Sequence, residues 1–368
     1  MLVSIFFIFI AVIIIQFLYY VVIFGKFSFA KLQPATPKRI PISVIVCAKN
    51  EEENVKKFIP LLAEQNYPQF EIVLIDDASS DNTLEIFEEF EKLYSNIKLV
   101  KVENNEAFWG NKKFALTLGI KAAKYEYLLF TDADCYPNSK EWITTMSSQF
   151  TAKKTIVLGY GAYEKIASSF LNKIIRYETL MTATQYFSWA KIGKPYMGVG
   201  RNMAYKREEF FKVRGFMDHM KIRSGDDDLF INQAANKSNT TICFSPESFT
   251  YSQPKTSFKD WFTQKRRHVS TANHYKLFDK NQLSVFYASQ LLFFILSIVL
   301  LLFQFQWIAV VSIIGFRYLF AWIAMGFAAG KLKEKDVMYW FPIIELVLTL
   351  TQLNVFITNT FSKPVHWK

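Results

Sequence analysis

Three groups of carboxylates are spaced so that they could act on one substrate. Asp132-Ala133-Asp134 closes an apolar run, Tyr127–Thr131. Two carboxylates at i and i+2 can both approach one hard cation if the backbone turns at a strand end. Mg2+ and Mn2+ prefer oxygen ligands, and Mg2+ typically takes one or two carboxylates plus substrate phosphates. A solvated turn is the competing account, because Asp suits turns through its side-chain hydrogen bonds. Asp76-Asp77, at the end of another apolar run, strengthens the cation reading. The third group, Ser224-Gly225-Asp226-Asp227-Asp228-Leu229, packs three carboxylates before an apolar helix expected over Leu229–Ala235. Mutual repulsion raises a pKa and suits one of them as a base. The helix dipole alone also favours acids there.

A basic group follows. Gln264-Lys265-Arg266-Arg267-His268 lies in Ser257–Lys280, which has six Lys/Arg and two Asp interleaved with Phe258, Trp261, Phe262, Tyr275 and Phe278. Such a segment, directly before an apolar run, reads as an interfacial helix lying along a membrane. An inward-pointing Arg267 would suit pyrophosphate, because guanidinium matches phosphate geometry. Nucleic acid is a poor partner for charges that abut a membrane span.

The carboxylates need a scaffold that brings strand ends together. Strands are expected at Ser43–Ala48, Glu71–Asp76, Ile97–Val102 and Tyr127–Thr131, with helices over Glu53–Gln65, about Asp81–Leu93 and Lys112–Lys124. This alternation implies an α/β fold with a parallel sheet, right-handed crossovers and helices on both faces. Ligands bind such sheets beyond the carboxyl ends of the strands. Asn50-Glu51-Glu52, Asp76-Asp77 and Asp132-Ala133-Asp134 all fall there. The first turn, Ala48-Lys49-Asn50-Glu51, has no Gly-rich fingerprint, which argues against NAD or FAD. A P-loop is also missing.

The remainder of the chain is apolar. Of 368 residues 51% are hydrophobic, yet the net charge is +11, and this apolar content excludes disorder. Leu2–Gly25 is 24 residues without a charge, long enough to cross a bilayer. It lacks the basic n-region and cleavage site of a signal peptide. Asn281–Gly330 carries only Arg317 and must fold back, with the break at Gln304-Phe305-Gln306-Trp307. Val337–Phe361 is a weaker span containing Pro342, Glu345, Gln352 and Asn354, and could instead be re-entrant or interfacial. The expected division is an anchor (1–25), a catalytic segment (26–256), an interfacial segment (257–280) and a C-terminal membrane region (281–368) with two or three spans. Residues 26–280 hold 37 Lys/Arg against 29 Asp/Glu, a net +8. Lysines beside the spans place this segment and 331–336 in the cytoplasm by the positive-inside rule. Cys47, Cys135 and Cys243 are isolated, which fits a reducing compartment. Arg317 and Glu345 are ionisable groups in apolar surroundings. They are expected either to pair or, through Arg317, to hold a lipid head group or phosphate.

The motif set, in order, resembles the membrane-bound branch of glycosyltransferase family two over roughly residues 40–275. The matching stretches are Ser43–Glu52, Asp76–Asp81, Asp132-Ala133-Asp134, Gly198-Val199-Gly200-Arg201-Asn202-Met203-Ala204, Gly225-Asp226-Asp227 and Gln264–Arg267. Ceramide glucosyltransferases, bacterial glycolipid glycosyltransferases and polysaccharide synthases share this set. The resemblance implies a GT-A fold, Rossmann-like with a mainly parallel sheet. It also implies inverting transfer from a nucleotide-diphosphate sugar, usually UDP-linked, with a divalent cation, Mg2+ or Mn2+. Carried over by position, Glu51 and Asp77 contact the nucleoside. Asp132 and Asp134 handle the diphosphate-bound metal. Asp227 is the base, with Asp226 beside it. Lys112 and Lys113, after Trp109-Gly110, fall in the donor site. Gln264 and Arg267 lie near the pyrophosphate, with Arg201 and His268 on the acceptor side. His268 stands where the family has Trp, and Asp226 where Glu is commoner. The first departure puts processivity in question. Three or four spans are few for a translocation pore, which favours a membrane lipid acceptor in a bacterial inner membrane. A processive polysaccharide synthase and a non-catalytic scaffold are the alternatives. The sequence leaves the sugar and the oligomeric state open.

Overall fold

The computed structural model describes residues 1–32, 36–103, 112–222 and 224–362. Trp109-Gly110 and the tail lysines Lys363 and Lys368 lie outside the described residues. In chain order the helices are α1 (Leu2–Phe17), α2 (Gly25–Ser28), α3 (Glu52–Ala63), α4 (Thr83–Leu93), α5 (Lys112–Ala122), α6 (Trp142–Ser147), α7 (Phe170–Ile192), α8 (Arg207–Lys212), α9 (Asp228–Ala234), α10 (Phe258–Ala272), α11 (Leu277–Leu302), α12 (Trp307–Lys331) and α13 (Phe341–Phe361). The strands are β1 (Ile42–Ala48), β2 (Phe70–Asp76), β3 (Ile97–Lys101), β4 (Tyr127–Asp132), β5 (Cys135–Pro137), β6 (Ile156–Leu158), β7 (Gly161–Tyr163), β8 (Met203–Lys206), β9 (Thr240–Ile242) and β10 (Thr250–Ser252). Two compact units result. One comprises Met1–Lys31, Ile166–Ile192 and the chain from Lys255, and the other Leu32–Lys165 with Gly193–Pro254.

The second unit is built on a mixed, mainly parallel sheet in the order β3-β2-β1-β4-β8-β6-β9. Val44, Ile45 and Val46 of β1 are all buried. Successive side chains point to opposite faces, so burial of all three means that both faces are covered. α5 packs against β1 and β2, and α4 against β2 and β3. On α4, Ile86 and Phe87 face inward while Glu85 and Glu89 are exposed. Trp142, Ile143 and Met146 of α6 complete the same core. A small second sheet has the order β5-β10-β7.

The strand order creates the site. From β1 the chain moves outward to β2 and β3, then returns to place β4 on the other side of β1. Such a reversal opens a crevice at the strands' carboxyl ends. Cys47 of β1 stands opposite Asp132 of β4, and Ala48 opposite Asp76 of β2. β8 runs antiparallel to β4 with Met203 opposite Phe130, so the residues preceding Met203 arrive beside the acidic end of β4.

Among its described residues the first unit holds four stretches long and apolar enough to cross a membrane: Leu2–Ser28, Leu277–Leu302, Trp307–Lys331 and Lys335–Phe361. α1 continues through a π-helical turn, Leu18–Ile23, into α2. α11 and α12 break apart at the expected place, where Gln304 and Gln306 adopt left-handed φ values of 51° and 47°. Within the last stretch Phe341–Phe361 forms the 21-residue helix α13, with Pro342 near its N-terminus, a position where proline removes no intrahelical bond.

A polar seam is buried among these helices. Arg317 is 0% exposed and Glu345 1%. Arg317 Nη1 and Nη2 donate to the two Glu345 carboxylate oxygens at 2.6 and 2.5 Å, and Nε donates to Gln16 Oε1 at 2.5 Å. Tyr20 Oη donates to Glu345 at 2.8 Å, and the guanidinium lies 4.6 Å from the centroid of the Phe293 ring. The ion pair of the two alternatives is therefore formed. Within the same unit Arg176 of α7 pairs with Glu334 and Asp336. On α10, Lys265 pairs with Glu178 of α7 at 2.5 Å, and Arg266 Nε donates to Asn359 of α13 at 2.8 Å.

Candidate active site

The loops after β1 and β2 are lashed together. Asn50 N–H donates to Ser79 Oγ at 3.0 Å, and Asn50 Oδ1 accepts from Ser80 N–H at 2.8 Å. Asn50 and Ala78 both have positive φ, 56° and 53°. Non-glycine residues seldom adopt such values, and they persist where surrounding bonds over-determine the turn. Glu51 N–H donates to Thr83 Oγ1 at 2.9 Å, while its carboxylate accepts from Asn54 at 2.6 Å. Asp77 is buried, and burial raises its pKa against the pull of Lys49 and Lys112. This edge of the crevice is a rigid acidic lip.

Asp132 and Asp134 offer carboxylate oxygens that lie, with Cys135 Sγ, within 4.8 Å of one another. Burial, then the neighbouring Asp132 charge, raises Asp134. A cation between the two would relieve that repulsion. Cys135 donates its thiol hydrogen to Asp134 Oδ1 at 3.2 Å, and burial holds it protonated far above neutral pH. The donor set therefore fits a hard cation held by two carboxylates, with the remaining positions left to phosphate and water. It does not fit a thiolate-seeking metal.

Lys112, at the start of α5, reaches across the crevice. Its Nζ lies 2.7 Å from Asp132 Oδ1 and 3.3 Å from Asp226 Oδ2. Burial alone would lower this lysine, but Asp132 and Asp226 outweigh it and raise its pKa. Conversely, burial pushes Asp226 up, but Lys112, a main-chain hydrogen bond and the Lys113 charge together outweigh it and lower its pKa. Asp227, the next residue, behaves differently. Its Oδ2 accepts from Gly200 N–H at 2.6 Å, and its Oδ1 caps α9 through Asp228 N–H at 2.7 Å. Burial, then the Asp226 charge, pushes its pKa up to about 6. Two adjacent carboxylates are thus driven apart in basicity, an arrangement that commonly separates acid–base roles.

The other expected residues divide by unit. Arg201 is not directed at an open surface. Its guanidinium donates to Gly161 O at 2.9 Å and Ser252 Oγ at 2.7 Å, and stacks on Tyr163 at 4.3 Å. It braces the small sheet while contributing positive charge beside Asp132 and Asp134. Lys113, adjacent to Lys112, is fully buried, and its Nζ lies within hydrogen-bond distance of three main-chain carbonyls. Gln264, Arg267 and His268 lie on α10, within the other unit. Sequence reasoning missed the Gly200 amide as the Asp227 partner and Asn202 as a tie. Asn202 Nδ2 donates to Tyr160 O at 2.9 Å and Ser248 O at 2.6 Å. Both lie in Gly198–Ala204, whose signal was the motif itself, not any chemistry of its side chains.

Comparisons with known proteins identify the family. The model of "Glycosyl transferase family 2" matches residues 43–224, and that of "Glycosyl transferase family group 2" matches residues 140–344. The "probable glycosyltransferase YdaM" of Bacillus subtilis is 28% identical over 238 residues, covering 62% of this chain and 55% of the relative. A poly-beta-1,6-N-acetyl-D-glucosamine synthase of Staphylococcus epidermidis is 42% identical over 93 residues, 25% of this chain and 21% of the synthase. The chain thus spans about half or less of the length of these relatives. The mannosyltransferase PcManGT from Pyrobaculum calidifontis, solved with GDP-Man and Mn2+, superposes with a TM-score of 0.59 at 17% identity, covering 95% of this chain and 99% of that one. That likeness supports a GT-A fold for this chain. By sequence motif, family match and fold, the chain belongs to glycosyltransferase family 2.

Proposed function

We propose that the protein is an inverting glycosyltransferase that moves a sugar from a nucleotide-diphosphate sugar to a lipid acceptor in the membrane. The observation that carries the proposal is the convergence of Asp132, Lys112 and Asp226 beside a less acidic carboxylate, Asp227. The GDP-Man and Mn2+ held by the structural neighbour support a nucleotide-sugar donor and a divalent cation, and the resemblance favours a UDP-linked donor. In this reading Glu51 and Asp77 hold the nucleoside and Lys112 faces the diphosphate. Asp132 and Asp134 would hold Mg2+ or Mn2+, which when bound offsets negative charge on the leaving diphosphate.

Asp227 is the proposed base. It takes the acceptor hydroxyl proton as the oxygen attacks the anomeric carbon on the face opposite the leaving group, so configuration inverts. A carboxylate with a pKa of about 6 is basic enough to accept that proton and still ionised at neutral pH. Asp226 remains charged and holds Lys112 in place. Gln264 and Arg267 are assigned to the pyrophosphate side, and His268 and Arg201 to the acceptor side. The four apolar stretches anchor residues 26–256 as the catalytic segment, with 257–280 at the interface and basic flanks on the cytoplasmic side of a bacterial inner membrane.

Incubating purified protein with UDP- and GDP-sugars and a membrane lipid extract, followed by mass analysis, tests the proposal. One sugar added per lipid is the expected product. The similarity to a polysaccharide synthase supports a second reading, processive polymerisation. A ladder of products selects that reading, and no product with any donor rejects both.

A further inference from the structure

Lys112 and Lys113 are adjacent in sequence, but their ammonium groups do different things. Lys112 touches carboxylates. Lys113 Nζ lies 2.9 Å from His219 O, 2.7 Å from Ile222 O and 2.8 Å from Ser224 O. An ammonium has three N–H donors and no acceptor. Here three carbonyls within one six-residue stretch stand at hydrogen-bond distance from a side chain that is 0% exposed. The stretch leads through Gly225, whose φ of 84° suits glycine, into Asp226 and Asp227. Among the described residues of the stretch none belongs to a sheet, and the short helical turn Met217–His219 leads into it. Elsewhere it is held by the capping of α9 and by the Asp227–Gly200 bond.

We infer that Lys113 is a positioning residue, gathering three main-chain carbonyls so that the loop presents Asp226 to Lys112 and Asp227 to the acceptor. The inference rests on the functional reading above and alters one part of it, because Lys113 then contacts no donor. The charge matters as well as the hydrogen bonds. Burial lowers its pKa to about 8, against the opposing charges of Asp226, Asp228 and Asp227. A protonated lysine at neutral pH both ties the loop and offsets its acidic charge. Two lysines on the first turn of α5 thereby divide the work: one holds the carboxylates and the other the backbone that carries them.

The test uses the full chain in lipid nanodiscs, comparing wild type with Lys113→Met and Lys113→Arg. Amide hydrogen exchange reads the loop, Mn2+ with UDP or GDP reads donor binding, and steady-state kinetics reads transfer. In Lys113→Met, exchange in residues 217–228 is expected to accelerate about tenfold or more while β1, β2 and β4 stay protected. Nucleotide affinity and donor KM stay within about threefold, while kcat falls about a hundredfold. Lys113→Arg, which keeps the charge and several donors, restores loop protection and brings kcat back to within about tenfold of wild type. Unchanged exchange in 217–228, or a loss of nucleotide affinity with the loop still protected, overturns the inference. If Lys113→Met fails to fold, Lys113→Arg decides alone. Its nucleotide affinity should match wild type, and a weakened affinity with wild-type exchange counts against the inference. The exchange result stands even where wild type transfers no sugar, an outcome that would reject the functional reading instead.

Discussion

Two of the clusters in which a cation meets carboxylates differ in closure. In the membrane unit, Arg317 is 0% exposed and Glu345 1%, and the pair is bidentate, supplemented by Gln16, Tyr20 and the Phe293 ring. One positive charge meets one negative, and nothing remains to bind. In the α/β unit Lys112 faces Asp132 and Asp226, with Asp134, Asp227 and Asp76-Asp77 nearby on the same crevice rim. Its side chain is 29% exposed, and acids outnumber the cation. A closed, neutral, saturated network specifies how helices assemble. An open network with surplus negative charge is poised to take a cation and a phosphate. Polar residues in an apolar chain therefore carry different meanings according to whether their partners are all internal.

Breaking the comparison should have unequal effects. The largest is expected for Asp227→Asn, which removes the base. Activity should fall about 10³-fold, within the range for general-base loss, with nucleotide binding retained when assayed by calorimetry. Next is Glu345→Gln, which leaves a guanidinium buried without its counter-charge. It should destabilise the fold by about 3–5 kcal/mol, measured as a loss of denaturation midpoint in detergent. The double change Arg317→Met with Glu345→Met should recover most of that loss, since an apolar pair of similar volume replaces a closed ion pair. Chelation should follow, stopping transfer reversibly with Mn2+ or Mg2+ restoring it. Full activity after exhaustive chelation would remove Asp132 and Asp134 from the cation role. The smallest effect is on pH. Asp227 must be ionised to accept a proton, so kcat should rise about tenfold per pH unit up to about 6 and level off above it. The same shift has a stability sign. Its folded pKa of about 6 lies above the ordinary 3.8, so the folded state binds the extra proton and stability falls as pH rises through that window.

Legibility in the sequence followed the same division. The parallel strands were readable because burial on both faces writes them as continuous apolar runs, and their acidic ends marked the crevice directly. Arg317 and Glu345 were readable as a question, because ionisable groups in apolar helices need partners, but only the assembled helices answer it. The Gly200–Asp227 bond was not readable. It depends on β8 entering antiparallel beside β4, a pairing between residues more than 70 positions apart. Lys112 and Lys113 were indistinguishable by type, since adjacent positions on a helix face about 100° apart and only packing tells which one meets the carboxylates. Helix α7 escaped notice because Asn172, Arg176, Thr184 and Ser188 interrupt its buried face. Arg176 answers Glu334 and Asp336, which lie far along the chain.

The crossed measurement of turnover and stability tests the central claim most directly. Asp227→Asn and Glu345→Gln are prepared identically, and kcat and denaturation midpoint are recorded for each. Asp227→Asn is expected to lose turnover with an equal or higher midpoint. Glu345→Gln is expected to lose midpoint while its folded fraction turns over as wild type does. Wild-type turnover in Asp227→Asn would contradict the assignment of the open cluster as the site of sugar transfer.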